Sequence, residues 1–256
     1  MTPLIPWYII TIVVTTNLFI AAAVWHLLAT AAGRSGLPDV PARRVRIGTA
    51  VILFGWLGAA LLLAPSAGSL TPEDRASLSP LIPLFGIGSA LIALAALRLS
   101  PAFRRTLGAV SLPAVHAVQV YRLIGAVFVV LLAQRQLPAH FALPAGWGDV
   151  AVGLAAPLVG LALARRLTGS RRLAAGWNLF GLVDLVVAVG MGTGHLAPLL
   201  LPELGPRVPP AAAMGAFPMI LVPMFAVPLS IMLHVLGLAR LAGEARAGIL
   251  GLVTSA

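Results

Sequence analysis

Five histidines, seven carboxylates and seventeen arginines carry almost all the ionisable chemistry of this 256-residue chain; it has neither lysine nor cysteine. Three of the histidines, His26, His116 and His234, fall in long apolar runs. Counting helical rise puts all three within about 6–9 Å of the same edge of those runs. Neutral imidazole is the usual ligand of haem iron, zinc and copper. Three histidines at one depth can build a divalent-metal site. Two of them, with His116 the first choice and His234 the second, can clamp a haem b for redox or sensing. No HxxxH or HExxH spacing accompanies them, and His140 and His195 belong to the loops at the other end.

A second constellation centres on Arg122. His116, Gln119 and Arg122 are spaced by three and share one broad side of a helix. Arg122 lies about 15 Å from the start of its run at 1.5 Å per residue. A charge at the centre of a bilayer is costly and calls for a partner. Asp184, in Asn178-x-x-Gly181-x-x-Asp184, is at similar depth. Asp149, in a Gly146-Trp147-Gly148-Asp149 turn opening the next helix, is nearer the outer face. The expectation is an Arg122–Asp184 pair joined from above by Asp149, with Gln119 and Asn178 in the same polar network. Such a pair can fix helix register, or it can serve a small-molecule or proton-coupled transporter.

Other chemistries have less to stand on. Ser230 and His234 are adjacent on a helix at a spacing of four, but no GxSxG setting surrounds the serine, so no catalytic residue is assigned. Without lysine there is no retinal Schiff base. Without cysteine there is no disulfide, thiolate site or iron–sulfur cluster. No phosphate-binding glycine loop appears; Gly190, Gly192 and Gly194 close an apolar run and do not open a helix after a strand.

These residues are positioned by an unusually apolar chain. It is 60% hydrophobic and 9% charged, with mean hydropathy +1.02. A soluble domain is nearer half apolar and a quarter charged. A water-soluble enzyme, a disordered chain and a nucleic-acid module are excluded, and the net charge of +10 points to anionic lipid headgroups. Seven runs are long enough to cross a hydrocarbon core of about 30 Å: 6–30, 47–66, 80–99, 112–134, 144–164, 173–193 and 217–239. The first lacks a basic start and is too long for a signal peptide.

Arginines punctuate alternate connections. Arg34, Arg43, Arg44 and Arg46 follow the first run, Arg98, Arg104 and Arg105 the third, Arg165, Arg166, Arg171 and Arg172 the fifth, and Arg240 and Arg246 the seventh. The other end has only Arg75, Arg135 and Arg207. The positive-inside rule then places the N-terminus outside and the C-terminus in the cytoplasm. Ala67–Ser79, with Glu73, Asp74 and Arg75, is an outer loop. Leu196–Ala216 is the longest outer connection and has room for a short surface helix. Trp7, Tyr8, Trp25, Trp147 and Trp177 fit an aromatic belt, and Trp56 sits mid-run as helix packing. Pro218, Pro223 and Pro228 mark a kink in or beside the last run.

The stretch His116 to Pro157 holds Tyr121-Arg122-Leu-Ile-Gly125 and Leu143-Pro-Ala-Gly-Trp-Gly-Asp149. It resembles a pattern found in small bacterial seven-helix membrane proteins. The resemblance covers mainly the fourth to sixth runs and implies a fold but no activity. The composition, rich in Arg and Ala, agrees with a high-GC bacterium.

The reading is an all-α bundle of seven transmembrane helices in a single domain, 1–256, in the bacterial cytoplasmic membrane. Its partners are the lipid bilayer, a small-molecule ligand and further copies of itself; no nucleic acid is expected. Three functions stand open: a haem b or metal protein using His116, His234 and His26, a transporter using Arg122, Asp184 and Asp149, and a receptor-like ligand-binding module. Matched histidine depth favours the first.

Overall fold

The computed structural model describes residues 5–66, 69, 79–205, 208 and 211–254, with side chains up to 243. Among these residues the chain is all helical, without strands. The outer-loop residues Glu73, Asp74 and Arg75, with Arg207 and the side chain of Arg246, lie outside the described set.

Among the described residues, seven helices are long and apolar enough to cross a membrane: Trp7–Arg34, Asp39–Leu63, Leu81–Leu99, Leu112–Ala133, Ala139–Ala164, Ser170–Gly192 and Val222–Gly243, here spans one to seven. Several outrun the apolar stretches that mark them. Span two begins at Asp39, behind Pro38, and takes Arg43, Arg44 and Arg46 into its first turns. Hydropathy reports only the lipid-facing length of a helix, while backbone hydrogen bonds carry it on into polar sequence. Span five likewise begins at Ala139 behind Pro138, with Pro144 inside it. Gly146-Trp147-Gly148-Asp149 is therefore helix and not an opening turn, which moves Asp149 from the edge of the span to its middle.

Two spans are irregular. Span four is α-helical only at its ends, and Val118–Gly125 between them is 3₁₀. Span seven starts with a π segment, Val222–Ala226, before the α-helix from Val227. Pro228 has no N–H to give the carbonyl of Met224. The indole Nε1 of Trp56 donates to that carbonyl instead, at 2.9 Å. Mid-span Trp56 thus repairs a backbone bond that proline removes.

The long connection after span six contains a short helix, Ala197–Leu200, and two 3₁₀ turns, Pro202–Leu204 and Ala212–Gly215. It is tied down where Ala211 N donates to the Gly192 carbonyl and Phe217 N to the Pro65 carbonyl, both at 2.8 Å. At the arginine-bearing end, the short helix Pro101–Ala109 is capped by Ser100, whose hydroxyl accepts from Phe103 N at 3.1 Å.

Candidate functional site

The site is built on the irregular middle of span four. A 3₁₀ helix has three residues per turn, so Gln119, Arg122 and Gly125 line up on one edge where an α-helix would fan them apart. All three are buried. Span five meets that edge with Gly146, Gly153 and Gly160, at a seven-residue spacing that suits close helix packing. A Cβ on Gly146 would come within 2.9 Å of Val129 Cγ2, one on Gly153 within 2.7 Å of Leu123 N, and one on Gly160 within 2.8 Å of the Pro113 carbonyl. Spans four and five therefore lie nearly backbone to backbone. Asp149 sits between the first two of these glycines and is brought against Gly125, where a side chain would overlap it.

Arg122 is among the most deeply buried large side chains, at 2% exposure. Every guanidinium nitrogen is engaged. Nε donates to Asp149 Oδ1 at 2.6 Å. Nη2 pairs with Asp184 Oδ2 of span six. Nη1 donates to the Gly181 carbonyl at 3.3 Å and to His234 Nε2 at 3.1 Å. Four spans thus meet on one cation. Space for it comes from glycine on spans six and five: a Cβ at Gly181 would overlap the His234 ring, and one on Gly148 would overlap the Asp184 carboxylate. One cation faces two carboxylates, so the ionised cluster carries one negative charge in excess.

The polar contacts continue away from Arg122 through imidazoles. His234 Nδ1 is 2.9 Å from Asn178 Oδ1, and Asn178 Nδ2 is 2.8 Å from His116 Nε2. His116 Nδ1 is 2.7 Å from the Leu112 carbonyl. The partners assign the tautomers. Both rings carry their proton on Nδ1, donating to Asn178 and to Leu112, and both accept at Nε2, from Arg122 and from Asn178. Trp177 lies beside both rings, at centroid distances of 5.4 Å and 5.0 Å, and its indole donates to the Val152 carbonyl at 3.2 Å. An unbroken polar chain therefore runs from Asp149 at mid-span to Leu112, the first residue of span four.

A family model, described only as a domain of unknown function (DUF8737), matches residues 79–242. That segment holds spans three to seven and every member of the network. The chain belongs to the DUF8737 family. Comparison with curated proteins and with solved structures gives no match. The segment shared with DUF8737 thus contains the whole Arg122 network, while Trp56 and the first two spans lie outside it.

Within this segment the ring nitrogens of both histidines are engaged in hydrogen bonds. Asn178 stands in the gap between His116 and His234, hydrogen-bonded to both rings, and each Nε2 already accepts a bond. Ligation would displace Asn178 and strip Arg122 of a partner. His26 is exposed on span one, because equal depth places a residue along a helix and not around it. Among the described residues no group of three His, Cys, Asp or Glu can hold a metal ion.

Other residues also differ from expectation. Trp177 is buried beside the imidazoles and is not part of an interfacial belt. Ser230 turns to Tyr121, not to His234. Its hydroxyl donates to the Ala226 carbonyl and accepts from Tyr121 Oη, both at 2.8 Å. Gln119 Oε1 is buried without a partner in the described structure, and Gln119 Nε2 reaches only 3.4 Å from His234 Nδ1. The glycines that let spans four and five approach carried a readable signal in the 146, 153, 160 spacing.

A cavity of about 80 Å³ reaches the cluster from one side. Asp149 lines it, together with Thr193, Ala211, Met214, Val189 and Val222. It lies toward the connection after span six, opposite the end from which the histidine chain approaches. Its volume exceeds the roughly 10–15 Å³ that one water needs by this measure. The π segment and Pro223 of span seven form part of its wall.

Proposed function

We propose that this chain is a small proton-coupled membrane transporter whose coupling site is the Arg122–Asp149–Asp184 cluster. The observation that carries the reading is the double role of Asp149: it bonds Arg122, and it lines a water-sized cavity. A proton arriving there cancels the excess negative charge of the cluster and weakens the bond from Asp149 to Arg122. Arg122 then stays paired with Asp184, one cation to one carboxylate. The chain His234–Asn178–His116 continues the polar path toward the opposite end, and the irregular spans four and seven are the elements that rearrange. Segments of 3₁₀ and π helix inside long helices are common at such moving, functional places.

By the positive-inside rule the cavity end faces outward, the N-terminus is outside and the C-terminus is cytoplasmic. The membrane is a bacterial cytoplasmic membrane, as the arginine-rich composition indicates.

The test is infrared difference spectroscopy on proteoliposomes while the external bulk is acidified. The expected result is a carboxylic-acid C=O band that Asp149→Asn removes. Uptake of a panel of small solutes is then driven by an imposed pH gradient, with Asp149→Asn as the inactive control. A spectrum without a carboxyl band, or uptake equal in the wild type and Asp149→Asn, overturns the reading.

A further inference from the structure

Spans two and three stand apart. Between them, floored by Leu229 and Met232 of span seven, lies a cleft of about 770 Å³, within the roughly 300–1,000 Å³ range of ligand pockets. Its lining is almost wholly apolar, with Gly48, Leu53 and Trp56 on span two facing Phe85, Gly88 and Ile92 on span three. In a chain that spans a membrane, such a cleft opens to hydrocarbon, so its filler is apolar.

One end is different. Arg44 lines the cleft where span two begins, close to Ser100 and Phe103, and its side chain is exposed. Two other arginines are turned elsewhere: Arg46 Nε donates to the Ala29 carbonyl, and Arg104 Nη1 to the carbonyls of Leu97 and Arg98. From Arg44 to Trp56 is twelve residues, about 18 Å along the helix. One leaflet of a hydrocarbon core of about 30 Å is about 15 Å deep. The cleft therefore has one cation at the headgroup level and apolar walls for the length of one leaflet.

We propose that this cleft is a built site for one anionic phospholipid, its acyl chain between spans two and three and its phosphate on Arg44. Gly48 and Gly88 serve it by leaving space: a Cβ on either meets nothing within 4 Å. The bound lipid covers the open face of span three and rests on span seven, the helix that brings His234 to the polar cluster.

The experiment is native mass spectrometry of the full chain taken from vesicles of phosphatidylglycerol or of phosphatidylcholine with the same acyl chains. One phosphatidylglycerol per chain is expected to survive delipidation, with at least a several-fold preference over phosphatidylcholine. Arg44→Gln is expected to remove the preference. Gly48→Leu, which fills the cleft, is expected to remove the retained lipid, with Gly88→Leu as the alternative if the first variant unfolds. Equal retention of both lipids, retention unchanged in the leucine variants, or a dimer whose interface covers the cleft would each overturn the proposal.

Discussion

The glycines around Arg122 and four glycines of spans two and three stand in opposite surroundings. In spans two and three, Gly48, Gly55, Gly58 and Gly88 face open space. In spans four to six, Gly125, Gly146, Gly148, Gly153, Gly160 and Gly181 each face a neighbour that a methyl group would strike. Burial is lowest in span three, where 6% of the apolar stretch is buried, and highest in spans four and seven, at 56% each. Between helices in lipid there is little hydrophobic drive, so close contact and polar bonds hold them together. Spans four to six have both, centred on Arg122. Spans two and three stand apart, with a cleft of mainly apolar lining between them.

The strongest way to break this contrast is to remove the cation. Arg122→Met leaves Asp149 and Asp184 buried and unpaired, and losing one partner of a buried ion pair costs about 3–5 kcal/mol. Thermal unfolding in detergent should drop sharply. The triple variant with Asp149→Asn and Asp184→Asn should recover most of the loss, because it removes the stranded charges as well. If the triple variant is as unstable as the single one, packing around Arg122 matters more than its charge.

Glycine substitutions sharpen the contrast directly. Gly181→Ala pushes on the His234 ring, and overpacking of this kind costs roughly 1–3 kcal/mol. Gly48→Ala and Gly88→Ala meet open space, and alanine is the better helix former by up to about 1 kcal/mol. Their unfolding temperatures should hold or rise while that of Gly181→Ala falls. Equal losses at all three positions would erase the distinction between the two sets of glycines.

Trp56 joins spans two and seven. Trp56→Phe leaves the Met224 carbonyl without its donor, at a cost of about 1–3 kcal/mol if no other donor replaces it. The loss should appear as faster hydrogen exchange around the π segment. Tyr121→Phe should have the smallest effect. Interhelical hydrogen bonds in membranes average about 0.6 kcal/mol, and the Ser230 hydroxyl keeps its bond to Ala226. Chemical denaturation can resolve a change of that size.

Much of the architecture is legible in the residues. Seven apolar runs mark seven helices because spanning length is a local property of the chain. Arg122 called for carboxylate partners because an isolated charge at that depth is too costly, and only Asp149 and Asp184 lay in neighbouring runs. Less legible was Asp149's depth. The Gly146–Asp149 segment reads as a turn by composition, yet Ala139 starts the helix and Gly146 and Gly148 are there for contact.

What the sequence by itself determined is the count, order and class of the spans and the set of polar residues at membrane depth. Rotation about each helix axis was decided only by the tertiary structure. Depth alone groups His26 with His116 and His234, but packing turns His26 outward and the other two onto Asn178. The 3₁₀ winding of span four changes the angle per residue, so an α-helical wheel misaligns Gln119, Arg122 and Gly125. Facing is set by the surfaces of several helices at once, and no single run contains that information.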